Sequence, residues 1–150
     1  MKKIILCLIL TISTITASAQ NSTLNIKADA RDEFGIGAGL TIGINKHFTF
    51  NPAFIYFLNT GNTTYWAIDF DIHYNLNLTP KFKAYPIFGF AVFHEGEHDG
   101  MGRSEWGTNI GLGCEYNFSE RVSGFIEIKH QDIDKMGEES YASFGFKIGL

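Results

Sequence analysis

The chain has 150 residues, 45% hydrophobic, 15% aromatic and only 19% charged, with 16 glycines against 3 prolines and a formal net charge of −4. That length bounds it to one domain, and the lack of any basic cluster argues against nucleic acid as a partner. Abundant glycine with frequent aromatics suits many strands and tight turns rather than disorder.

Met1-Lys2-Lys3 is a short basic start, Ile4–Thr16 an apolar run and Ala17-Ser18-Ala19 a small-residue cleavage signature. Residues 1–19 are therefore expected to be a signal peptide cut before Gln20, leaving 20–150 as one domain. The apolar run is too short for a spanning helix, and no later segment approaches the roughly 20 apolar residues one needs. A mature chain in a membrane would cross it as strands. Cys7 falls too early for a lipoprotein anchor, so Cys114 is the one mature cysteine and no intramolecular disulfide is expected. Without Lys2 and Lys3, ten basic residues face sixteen acidic ones, a net of −6.

From there the chain alternates. Thr23–Arg31, Phe34–Ile44 and Phe48–Leu58 read as the first three strands, with a short link at Asp32-Glu33 and a tight one at Asn45-Lys46-His47. Asn59–Thr64 is a polar loop before Tyr65–Leu78 (YWAIDFDIHYNLNL), where every even residue is large and apolar and the odd set is mostly polar. Thr79-Pro80-Lys81 turns into Phe82–Phe93, and His94–Ser104 is expected to be the longest loop. Glu105–Phe118 follows, Ser119-Glu120-Arg121 turns into Val122–His130, Gln131–Glu139 is expected to loop, and Ser140–Leu150 ends the chain. The pattern predicts an all-β, eight-stranded antiparallel up-and-down transmembrane β-barrel, with tight turns at one rim and longer polar loops at the other.

Glycine fixes which face is inside. Ten strand glycines, Gly35, Gly37, Gly39, Gly43, Gly89, Gly107, Gly111, Gly113, Gly145 and Gly149, lie at odd positions, and Gly124 alone is even. A narrow interior holding long charged side chains needs small neighbours, and the even face carries too many rings to fit inside eight strands. The even face is assigned to lipid. The interior then holds Lys27, Arg31, Lys83, Lys129 and Lys147 against Asp29, Asp69, Asp71, Glu115 and Glu127. Five against five is what a plugged, non-conducting lumen requires, because buried charges persist only when paired. His73 is expected to pack into this network as well.

Trp66 and Trp106 fall near the long-loop rim, and Phe48, Tyr74, Tyr116 and Phe118 near the short-turn rim, as two interfacial aromatic girdles. The long-loop rim carries ten carboxylates against Arg103 and Lys135, a net of −8. These features, with the F-G-I-G-A-G-L opening, the Y-N-L-N-L-T-P-K-F and G-L-G-C-E-Y-N-F-S-E-R hairpins and the closing F-G-F-K-I-G-L, resemble small eight-stranded outer-membrane barrels of the OmpA/OmpX type. The resemblance implies a bacterial outer-membrane location and insertion by the barrel-assembly machinery, with outer-membrane lipid and lipopolysaccharide as surroundings. It departs at the last residue, Leu150, where such barrels commonly end in an aromatic.

Two constellations invite chemistry. His94, Glu95, Glu97, His98 and Asp99 crowd the longest loop with metal-ligand types, but as a solvated acidic loop they predict no bound metal or other cofactor. Ile128-Lys129-His130-Gln131-Asp132 is similar to the strand of lipid A deacylase barrels that carries a His-x-Ser-Asn signature. Asp132 stands where the serine would be and Ile133 replaces the asparagine, and a carboxylate does not replace an alkoxide-forming hydroxyl. His130 then reads as an interfacial histidine turned to the outer face. The sequence predicts a monomeric barrel without enzyme activity, structural or interactive through acidic loops; a His130-dependent lipid A-modifying enzyme and a narrow pore are the alternatives.

Overall fold

A computed structural model describes residues 22–58, 63–97 and 102–150. Eight strands follow in chain order: β1 (Ser22–Ala30), β2 (Phe34–Gly43), β3 (Phe48–Leu58), β4 (Thr63–Tyr74, continued by Leu76–Asn77), β5 (Phe82–Glu97), β6 (Arg103–Asn117), β7 (Val122–Ile133) and β8 (Gly137–Gly149). Each pairs antiparallel with its neighbours in sequence, and β1 also pairs with β8, with Leu24 opposite Ile148 and Ala28 opposite Phe144. The sheet is closed, so no edge is left unpaired, as a hydrocarbon environment demands.

Two gaps in the ladder have one cause. The constant register of β4 on β5 puts Tyr74 opposite Pro86, between the pairs His73–Ile87 and Leu76–Ala84, and pairing lapses there. The register of β2 on β3 puts Leu40 opposite Pro52, and pairing lapses between Gly39–Ala53 and Ile42–Phe50. Proline has no N–H to donate, so each ladder skips a step.

The three tight turns share a device. Asn45 Oδ1 accepts the backbone N–H of His47 (2.8 Å) and Phe48 (2.9 Å). Thr79 Oγ1 does the same for Lys81 and Phe82, and Ser119 Oγ for Arg121 and Val122. A side-chain oxygen at the first turn residue satisfies donors that no strand can reach.

The opposite end differs from the expected long loops. β5 runs to Glu97 and β6 starts at Arg103, with His94 opposite Ser104 and Glu95 opposite Arg103. β7 and β8 likewise pair up to Ile133 opposite Gly137, joined by a turn in which Lys135 (φ 61°) and Gly137 (φ 97°) adopt left-handed backbone. Among the described residues the His94–Ser104 and Gln131–Glu139 segments are thus largely strand. Above the apolar band both faces are polar, so the alternation that marks a strand vanishes while the backbone ladder continues.

Side-chain parity holds all the way round: Asn25, Lys27, Asp29, Ile55, Asp69, Tyr85, Glu115, Lys129 and Ser143 are buried, whereas Ile26, Phe54, Phe88, Leu112, Ile128 and Phe146 face outward. Gly113 leaves room for an inward ring, since a Cβ there would collide with Tyr85. In a soluble fold so much exposed apolar surface would be a liability; as an unbroken outer band it matches lipid.

Candidate functional site

The interior is layered. Toward the outer end Ile55, Phe57, Ala67, Ala91, Phe93 and Ile133 form an apolar cluster. Arg31 lies across it, its guanidinium carbon 4.9 Å from the Phe57 ring centre and 3.6 Å from that of Tyr141. This layer is absent from the sequence reading, which followed charges and overlooked apolar residues at odd positions.

Beneath it, Lys129 is clamped between Asp69 (2.7 Å) and Asp71 (2.8 Å). Lys27 reaches Asp29 (3.4 Å) and Asp69 (3.5 Å), and Arg31 reaches Asp29 (3.8 Å). Three cations and three carboxylates from β1 and its end, β4 and β7 thus form one cluster. Neutral groups add donors, Ser143 to Asp29 (2.7 Å) and Asn109 to Asp71 (2.8 Å), while Asp29 Oδ2 and Asp69 Oδ1 accept no hydrogen bond among the described residues. Desolvating six charges is costly, and the mutual pairing of opposite charges offsets it.

Toward the inner end a second cluster sets Glu115 between Lys147 (2.8 Å) and Lys83 (3.0 Å), with Ser123 donating at 2.8 Å. Glu127, expected as an ion-pair partner, makes no salt bridge among the described residues and accepts the Tyr85 hydroxyl at 3.0 Å. His73 also departs from expectation. Among the described residues neither ring nitrogen has a hydrogen-bond partner, and the ring stacks on Tyr85 at 4.5 Å and 9°. Parity sends Asp69, Asp71 and His73 inward together, but Lys129 takes only the carboxylates. Below this level a vestibule of about 550 Å³ opens at the turn end, lined by Asn75, Lys83, Glu115 and Lys147. In planar bilayers the barrel is expected to give no stable open level; a steady conductance step would show that these layers do not seal it.

Outside, Trp66 stacks on His94 (4.8 Å) and Phe54 packs on Trp66 (5.9 Å), while Trp106 faces Phe90 at 6.1 Å. At the turn end Tyr74 packs on Phe48 (5.0 Å) and Tyr116 on Phe118 (5.6 Å).

Of this constellation the described side chains, His94 and Glu95, do not converge. His94 points outward, its Nδ1 2.9 Å from Ser104 Oγ, while Glu95 accepts the Tyr65 hydroxyl at 2.8 Å on the inner face. His98 and Asp99 lie outside the described residues. Glu105 points into the outer mouth, where Arg103 holds its carboxyl below the usual carboxylate range. His130 does face outward, yet it is not alone: its Nδ1 is 2.9 Å from Ser140 Oγ and its Nε2 is 3.7 Å from Glu138 Oε2. Asp132, at the position compared with a serine, lies opposite Glu138 on the same face. Ser140 went unnoticed because His130–Ser140 proximity depends on a tight turn at Asp134–Met136, where the sequence suggested a loop.

A closed eight-stranded barrel with an apolar exterior and a charge-paired interior defines an outer-membrane barrel protein. The chain belongs to the outer membrane protein beta-barrel domain family, whose sequence model matches residues 8–150. Comparison with curated proteins yields no match. Among solved structures the fold is similar to the N-terminal β-barrel domain of Pseudomonas aeruginosa OprF, with TM-score 0.73 and 17% identity, covering 86% of this chain and 97% of that one. It is also similar to Neisserial surface protein A (0.67, 11%, covering 86% and 94%) and to Ail, the attachment invasion locus protein of Yersinia pestis (0.55, 9%, covering 85% and 93%). At these identities the likeness establishes the fold alone.

Proposed function

We propose that the chain is a sealed, monomeric barrel of a bacterial outer membrane, exported by residues 1–19 and inserted by the barrel-assembly machinery. Its role in this reading is structural, with a surface contribution from its acidic outer rim. The reading rests on the Lys129 clamp: an ammonium with no solvent exposure, held by two carboxylates, fills the lumen where a pore would need water. Function then falls to the outside.

At the outer rim Asp32, Glu33, Glu95, Glu105, Asp132, Asp134, Glu138 and Glu139 outnumber Arg103 and Lys135. Carboxylates at this density attract hard divalent cations, and such cations bridge to the anionic groups of lipopolysaccharide. Ail is described in complex with the heparin analogue sucrose octasulfate. A polyanion of that kind is repelled by the present rim unless cations intervene.

Replacing Asp32, Glu33, Asp132 and Asp134 by Asn or Gln is expected to reduce the EDTA sensitivity of cells carrying the barrel. Heat-modifiable migration of outer-membrane fractions serves as the check on folding and location. Unchanged EDTA sensitivity in a folded, correctly located variant would refute the cation-bridging role.

A further inference from the structure

The two charge clusters of the lumen do not balance in the same way. In the outer one Lys27, Arg31 and Lys129 meet Asp29, Asp69 and Asp71, three against three. In the inner one Lys83 and Lys147 share a single carboxylate, Glu115, and each has that one salt bridge among the described residues. Glu127, the carboxylate that would even the count, accepts from the Tyr85 hydroxyl instead. The inner cluster is left one ammonium in excess, and Lys83 keeps 24% side-chain exposure toward open space.

That space is the vestibule of about 550 Å³ at the turn end. Its volume falls within the roughly 300–1,000 Å³ of small-molecule pockets. The stacked rings of Tyr85 and His73 lie above it, with the Lys129 clamp beyond them, so it is a cup that opens at the turn rim. Between floor and rim the wall carries Thr23, Thr41, Thr49, Asn75 and Asn117. Hydroxyls and amides both donate and accept. Lys46 and Arg121 stand at the mouth against Glu120, so the charged side chains lining the cup are four cations and two carboxylates. A concave site with low-dielectric walls and one dominant sign of charge concentrates ions of the other sign. Ser22, at the end of β1, also lines the mouth, and its buried hydroxyl has no hydrogen-bond partner among the described residues. An acceptor oxygen on a ligand would relieve that cost.

The apolar side chains of the lining, Ile44, Val122 and Leu150, belong to the rim and offer no wall for an apolar body. A fitting solute is therefore small, anionic and rich in hydrogen-bonding groups. We propose that the vestibule binds a small oxyanion, the phosphate or carboxylate group of a hydroxyl-rich solute, on the ammonium groups of Lys83 and Lys147. Short turns of such barrels face the periplasm, so the solute enters from that side. Its oxyanion accepts charge-assisted hydrogen bonds from both lysines, which Glu115 holds side by side. Lys147 has 4% side-chain exposure and cannot swing away into bulk water, so this half of the site is formed in advance. The site rests on the sealed-barrel reading for its closed floor, and it adds a task at the end opposite the acidic rim.

The test is isothermal titration of the folded full-length barrel, in uncharged detergent at low salt, with inorganic phosphate, glucose 6-phosphate, glucuronate and glucose as separate probes. Binding of glucose 6-phosphate, glucuronate or both is expected, with phosphate alone weaker and glucose silent; the probe that responds identifies the oxyanion. Lys83→Met leaves Lys147 paired one to one with Glu115, so heat-modifiable migration should be intact while affinity falls at least about tenfold. Lys83→Arg, which keeps the cation, should retain most of the affinity. Lys81→Met, on a turn and outside the lining, should leave it unchanged. No binding of any of the three anions by wild type, binding that survives Lys83→Met, or displacement by an equal concentration of chloride would overturn the proposal. Bilayer recordings without a conductance step alongside such a result would leave the sealed-barrel reading standing.

Discussion

Lys129→Met is expected to lower the unfolding free energy in urea, measured in phospholipid vesicles, by about 3–5 kcal/mol. The ammonium is fully buried and holds Asp69 at 2.7 Å and Asp71 at 2.8 Å. Methionine keeps most of the stem volume beside Gly111 and Tyr141, so packing changes little. What changes is charge: two carboxylates on adjacent inward positions of β4 lose their shared cation, leaving Lys27 at 3.5 Å from Asp69 and Arg31 beside Asp29. The double variant Lys129→Met/Asp71→Asn removes the imbalance, leaving Lys27 and Arg31 against Asp29 and Asp69, and should recover most of the loss, since replacing a buried ion pair by neutral groups is often close to neutral. A single-variant loss under about 1 kcal/mol, in the range of an exposed pair, would mean that water reaches the cluster and the lumen is not sealed there.

The face of each strand was legible because one period ran through the whole chain. Ile26 outside and Lys27 inside, or Phe70 outside and Asp69 inside, follow from alternation alone, and the odd-position glycines settled which face is the interior. Partners were not legible. Lys129 meets Asp69 across 60 positions and Ser143 meets Asp29 across 114. Such pairings depend on register, stagger and the reach of each side chain, which no local pattern encodes. Glu127 illustrates this: charge counting assigned it a cation, but Lys147 turns to Glu115 and the Tyr85 hydroxyl fills the gap. Strand ends were hidden for a different reason. Lipid imposes the alternation, so where β5 to β8 rise past the bilayer the signal stops although pairing does not. The cost of that blind spot was largest at Ser140, whose approach to His130 depends on the short turn at Asp134–Met136.

Glu115→Ala is the second large effect, and its size depends on which lysine is freed. Glu115 is buried and holds Lys147 at 2.8 Å and Lys83 at 3.0 Å, so its loss leaves two ammoniums near one another. Lys83 retains 24% side-chain exposure beside the vestibule and turns toward water at little cost, whereas Lys147 retains 4%. The expected loss is therefore about 3 kcal/mol, at the lower end for a broken buried pair, and most of it belongs to Lys147. Adding Lys147→Met should restore the greater part, because the side-chain end lies by the Tyr85 and Phe125 rings, Nζ 5.2 Å and 5.1 Å from their centres, where a neutral thioether packs well. Adding Lys83→Met instead should restore little. Equal rescue by both lysine substitutions would mean that the vestibule is dry and that Lys83 is as trapped as Lys147.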